Sequence, residues 1–377
     1  LAKVFLPRLA GGWPQAVLGV KIAHRYLSWS DAMYAFWEQW LRQKGVSVNE
    51  GGAPSGEEHL QQIDAVERET VLAPLDRFSL IRVEGEEAAP FLQGQLSNDI
   101  RLLDDAKFAQ YSTYSTAKGR MLANFLIWKQ EGGYWLMVSA DIAAAIAKRL
   151  TMFVMRSKVK VALNEDWFVL GVSGPQSANI LRAYFDDAEA LEKMQVSLRE
   201  DGALIRLPHD GFFLASRRGS GLEGKLADQV AWRPVLQDAW ALHDIRAGIA
   251  WVTMAIQEQF VPQMANMELI GAVNFKKGCY PGQEIVARSQ YLGKMKRRMF
   301  LVEFDQALSV GEKLYSPQLP EQSVGMMAAV CQIAPSRYQG LAVVQSQTWE
   351  SGVFADEAQK ISLRCLELPY SLDPASE

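Results

Sequence analysis

Apolar positions recur with a helical period near the start of this 377-residue chain. Residues 22–44, IAHRYLSWSDAMYAFWEQWLRQK, set Tyr26, Trp29, Met33, Trp37, Trp40 and Leu41 three, four and seven apart. That spacing predicts an amphipathic helix, and its aromatic stripe reads as packing surface rather than as a cofactor box. The next stretch, VNEGGAPSGEEH (48–59), has no period and collects Gly, Pro, Ser and Glu, so it predicts a linker.

From residue 60 the pattern shortens. RFSLIRVEG (77–85) predicts a strand ending at Gly85, and EEAAPFLQGQLSNDI begins as a helix that breaks near Gly94. Residues 109–139 read as a meander, with turns at Lys118-Gly119 and Gly132-Gly133. DIAAAIAKRLTMFV is a helix built on Ala and Leu, with basic residues towards its end. WFVLGVSGPQSANILRAYF (167–185) resumes strand, turn and helix, which suggests a second subdomain from about residue 165 to WRPVLQ (232–237). Beyond residue 298 the chain is short strands between Gly/Pro turns and predicts a small all-β C-terminal domain.

Composition narrows the classes. The length favours two or three domains, and 49% apolar with 22% charged residues is that of an ordinary globular protein. Cys279, Cys331 and Cys365 are odd in number and lack CxxC spacing, which fits a reducing cytosol better than a disulfide framework or a zinc site. No apolar run approaches membrane-span length and no signal-peptide block is evident. The first residue is Leu1, so a processed, truncated or unusually initiated start is left open. A net charge of −4 argues against bulk attraction to nucleic acid, so any such contact has to be local.

Candidate chemistry is concentrated in one window. VNFKKGCYPGQEIVARSQYLGKMKRR (273–298) carries Lys276, Lys277, Arg288, Lys294, Lys296, Arg297 and Arg298 against Glu284 alone. Gly278 and Gly282 bracket Cys279-Tyr280-Pro281, a tight turn whose backbone NH groups suit an anion. Lys276 and Lys277 would favour the Cys279 thiolate, provided the sulfur is not deeply buried. A tuned thiol and a buried apolar cysteine both fit the residues. Elsewhere GSGLEG (219–224) matches GxGxxG, but Arg217 and Arg218 precede it and the following helix meets Pro234, so it reads as a strand-to-helix connection. The four histidines are scattered, and HExxH, GxSxG and a P-loop lysine are absent.

KKGCYPGQEIVAR resembles the signature of the YgfZ family of folate-binding proteins, related to the aminomethyltransferase (T-protein) of glycine cleavage. FLQGQLSNDI, TAKGRM, WALHDIRAG, FVPQMANMELIG and the late LPYSL agree in order, over about residues 70 to 372. The resemblance implies an α+β, three-domain aminomethyltransferase-like fold with a ferredoxin-like middle subdomain and a small C-terminal β-barrel. Its implied boundaries are an N-terminal extension 1–60, a folate-binding domain 61–164 plus 236–292, an αβ subdomain 165–235 and a barrel 293–372. It also implies tetrahydrofolate in a central channel, with Trp240 and Phe78 as stacking faces and Lys276 and Lys277 towards the anionic tail. Asp99 matches the aspartate beside the reacting folate nitrogen in the aminomethyltransferases, although "ND" is also a common cap. At Arg246 the relatives carry a glutamate that holds the pterin, and a guanidinium cannot accept those hydrogen bonds. The implied role is a cytoplasmic folate-binding accessory protein that supports iron–sulfur enzymes and tRNA modification such as methylthiolation, with Cys279 reactive at the channel mouth. A folate-dependent one-carbon transferase using Asp99 and a tRNA-binding adaptor are the alternatives.

Overall fold

The computed structural model describes residues 31–48, 56–291 and 295–372. Residues 22–30 of the predicted first helix and 49–55 of the predicted linker lie outside them. The helices are α1 (Asp31–Gln43), α2 (Gly56–Arg68), α3 (Ala88–Gln93), α4 (Ala140–Val154), α5 (Ser177–Leu181), α6 (Leu222–Ala227), α7 (Gln237–Arg246) and α8 (Gln283–Tyr291). None of them is long and apolar enough to cross a membrane. Helix α2 starts inside the predicted linker, because Glu57 and Glu58 in its first turn favour a helix start. The aromatic stripe of α1 is packing surface: Trp37 and Trp40 are buried with Leu72, Phe168 and Leu204, and Trp40 Nε1 donates to the Ala227 carbonyl at 3.0 Å.

One antiparallel sheet orders its strands Ala109–Ser115, Met121–Gln130, Gly133–Ser139, Phe78–Glu84 and Lys160–Asn164. The predicted meander is its core, and Gly119 and Gly132 take the left-handed φ values of 73° and 72° that those turns require. Nearly every residue of Met121–Gln130 is buried, because both faces of the strand are covered.

The second sheet orders Arg233–Pro234, Val71–Pro74, Trp167–Ser173, Phe212–Arg217, Gly202–Arg206 and Val196–Arg199. This sheet takes one strand from before residue 165, since Val71–Pro74 hydrogen-bonds to Trp167–Ser173. Helix α7 lies close against this sheet: a Cβ on Gly171 would come within 2.5 Å of the Trp240 ring, so glycine is what admits the indole.

The third sheet is C-terminal, in the order Lys313–Leu314, Gly325–Ala334, Arg337–Gln345, Arg297–Phe304, Ser362–Leu366 and Val353–Phe354. A bridge between Tyr315 and Phe354 joins its two edges, so it curls into a nearly closed barrel. It is fastened to the rest by Tyr370, whose hydroxyl donates to the Gly248 carbonyl at 2.7 Å, and by Asn266, whose amide donates to the Met299 carbonyl at 2.8 Å.

Candidate functional site

Two loops far apart in sequence form the site. In the first, Asn98 is 5% exposed, and its amide donates to the carbonyls of Tyr111 at 2.9 Å and Gly271 at 2.7 Å. Ser97 Oγ donates to the Ala272 carbonyl at 2.7 Å and accepts from the Thr113 backbone at 2.8 Å. The loop after α3 is thereby tied both to the strand Ala109–Ser115 and to the segment that leads into the cysteine turn.

Asp99 caps the 3₁₀ turn Ile100–Leu103, accepting from the Arg101 backbone NH at 3.1 Å. Its carboxylate also takes the Arg101 guanidinium, with Nε at 2.9 Å. The Arg101 hydrogen bonds hold this carboxyl down at about 2. A carboxylate so stabilised is an acceptor and a weak base, and carries no proton to give near neutral pH.

Lys277 is 6% exposed and turns inward, donating to the carbonyls of Gln93 and Leu96 just past the end of α3. Burial lowers its ammonium to about 8. Two of its three donors are engaged by backbone carbonyls, and through them it pins the cysteine turn to the Asn98 loop. Lys276, one residue earlier, is exposed. Cys279 is a free, exposed thiol in the turn. The turn is held in place by Gly282, at φ 80°, where a Cβ would lie 2.7 Å from the Gly119 Cα. The TAKGRM turn and the cysteine turn thus touch backbone to backbone.

Between the loops opens a cleft of 710 Å³, walled by Asn98, Phe108, Gln110, Tyr111 and Phe275, with Lys276 at its rim. Gln110 is 8% exposed, and neither its amide oxygen nor its nitrogen has a hydrogen-bond partner. The Tyr111 hydroxyl also has none. Burial and the nearby Asp244 push that phenol far above its usual range. Buried polar atoms without partners cost about 1–3 kcal/mol each, so such a wall is suited to a ligand that completes it.

Behind Tyr111 runs a chain of rings. Trp251 lies 6.1 Å from Tyr111 and 4.7 Å from Phe78, Phe78 lies 5.8 Å from Phe213, and Phe213 lies 6.1 Å from Trp240. Phe78 and Trp240 are both fully buried. Neighbours on both sheets pack against these rings, with Gly171 and His243 against the indole. Arg246 is also elsewhere, paired with Glu67 at 2.7 Å and donating to Gln339 Oε1 at 3.0 Å, where it links α7, α2 and the barrel. The site thus brings together Asp99, Lys276, Lys277 and Cys279 through their two loops, and leaves Phe78, Trp240 and Arg246 apart.

Sequence reasoning missed Gln110, Tyr111 and Trp251. One signal was present: Ala109–Ser115 is buried at every position, yet it carries Gln110, Ser112, Thr113 and Ser115, and an interior strand rich in polar side chains has a use for them.

The same architecture occurs in the crystal structure of glycine cleavage system aminomethyltransferase T from Bartonella henselae, with a TM-score of 0.71 at 19% identity, covering 89% of this chain and 96% of that one. Residues 24–202 match the family model described as the GCVT N-terminal domain. Over 310 residues the chain is 27% identical to the tRNA-modifying protein YgfZ of Klebsiella pneumoniae (strain 342), covering 81% of this chain and 94% of that protein. Sequence and fold together make the chain similar to YgfZ and to the T-protein over most of its length. Its fold is the α+β, three-domain T-protein type with a C-terminal barrel.

Proposed function

We propose that this protein is a folate-binding protein serving tRNA modification, and that it binds tetrahydrofolate in the cleft between the Asn98 loop and the cysteine turn. The observation that carries the reading is the buried Gln110 amide on the cleft wall, which lacks partners for both its donor and its acceptor. A pterin edge presents donors and acceptors side by side, as an amide requires. Phe108, Tyr111 and Phe275 supply flat apolar surface, and exposed Lys276 supplies a cation for the glutamate tail. The likeness to the Klebsiella tRNA-modifying protein supports the cellular role.

In this reading the protein sustains iron–sulfur enzymes of tRNA modification, and Cys279 is the group that reacts. The thiol is exposed, three residues from the Lys276 rim, on a turn locked by Lys277 and Gly282. Folate bound in the cleft would lie beside it. An accessory role is favoured over one-carbon transfer, because Asp99 is held ionised by Arg101 and is poorly placed on the pKa scale to shuttle a proton.

Titration with tetrahydrofolate, followed by tryptophan fluorescence, tests the binding. Saturable quenching that is lost in Gln110→Leu is expected, and equal binding by that variant would move the ligand out of this cleft. For the thiol, a strain lacking the protein is complemented with Cys279→Ala. Full recovery of iron–sulfur tRNA-modifying activity would remove Cys279 from the role.

A further inference from the structure

The contact between the TAKGRM turn and the cysteine turn gathers cations from three segments on one face. A Cβ on Gly119 would come 3.0 Å from the Ile285 Cβ, which sets Lys118 beside the first turns of α8. Arg288 follows Ile285 by three residues on that helix and so lies on the same side of it. Gln283 Nε2 donates to the Lys277 carbonyl at 3.4 Å, which brings the Lys276 segment against the start of α8 as well. Lys118, Lys276, Cys279 and Arg288 are all exposed.

Among the described residues, none of these three cations is in an ion pair or donates a side-chain hydrogen bond. Cations on other helices are matched by acids, as Arg42 is by Glu38 at 2.7 Å and Arg182 by Glu189 at 3.2 Å. The single carboxylate of residues 273–298, Glu284, is exposed in the first turn of α8. The backbone NH groups of Gly278 and Cys279, both on exposed residues, also take no acceptor among the described residues. The face therefore presents donors and positive charge, and Ile285, 37% exposed, adds apolar surface to it.

We infer that this face binds the phosphate backbone of a structured RNA, tRNA in the first instance, and that the RNA lies across Cys279. The inference rests on the reading that the protein serves tRNA modification, and not on folate binding. A phosphodiester carries charge and acceptors but no donor, so it complements ammonium, guanidinium and open NH groups together. With a net charge of −4 on the whole chain, the attraction is confined to this face.

Fluorescence anisotropy of a labelled, unmodified tRNA transcript titrated with the full chain tests it. Saturable binding is expected, with log affinity falling against log salt at a slope of about −2 to −3 for three phosphate contacts. Lys118→Gln combined with Arg288→Gln changes two exposed positions that do not line the proposed folate cleft. The pair should weaken tRNA by about tenfold and flatten the slope by about two, with tetrahydrofolate affinity unchanged. No saturable tRNA binding, or equal binding by the double variant, overturns the inference. Displacement of the tRNA by poly-L-glutamate at equal charge would assign the face to an acidic protein and overturn it too. Restored tRNA-modifying activity in the deletion strain by a chain without tRNA affinity would end this inference and leave the accessory reading standing.

Discussion

The rim of the proposed folate cleft and the ring chain behind it differ in what they leave free. Around Trp240 the aromatic side chains are buried and packed against neighbours. At the cleft the wall is also buried, yet both polar atoms of the Gln110 amide are left without partners. A ligand site is therefore marked less by suitable residue types than by unmet hydrogen bonds beside open volume.

Substitution can break this contrast. Trp240→Ala should cost about 3–5 kcal/mol of stability, read from urea unfolding, because a buried indole leaves a large void. Its folded fraction should still bind tetrahydrofolate; a loss of binding with little loss of stability would return the indole to the site. Gln110→Leu should do the reverse, weakening tetrahydrofolate by roughly 10–100-fold while leaving stability equal or higher, since an unpartnered buried amide is removed. Lys277→Met should destabilise by about 1–2 kcal/mol, by stranding the carbonyls of Gln93 and Leu96, and limited proteolysis should then cut the cysteine turn first.

Weaker effects sharpen the picture at the rim. Lys276→Ala should reduce tetrahydrofolate affinity by about 1 kcal/mol or less, with the loss shrinking at high salt, because the cation is exposed. Asp99 gives a pH signature. Its folded carboxyl sits at about 2 against an ordinary 3.8, so the stability it adds is present above roughly pH 4 and is lost as pH falls through about 2. Acid unfolding of Asp99→Asn should accordingly show a shallower decline across that window. An identical acid limb in the two proteins would mean that the Arg101 pairing contributes nothing in solution.

Much of the fold was legible in the chain. The meander, the break at Gly94, the aromatic stripe of α1 and the late barrel strands follow from local periodicity and turn residues, and local sequence suffices for them. The start of α2 was not, because a Gly/Glu-rich opening reads as loop until its packing is known. At the site, the Asn98 and cysteine loops could be named from their motifs, and the cap formed by Asp99 was one of the readings offered. The roles of Gln110 and Trp251 were not legible, since nothing local says which buried polar or aromatic side chain is left facing a cavity.

By itself the sequence determined the elements, the family resemblance and a loop dense in cations around one thiol, because these depend on residue type and near spacing. Tertiary structure alone decided which of those groups are available. Lys276 and Lys277 are neighbours, yet one stands in solvent while the other is bound to a carbonyl 184 residues away. The physical reason is that burial and hydrogen-bond satisfaction are set by whatever packs across the gap, and those partners lie far off along the chain.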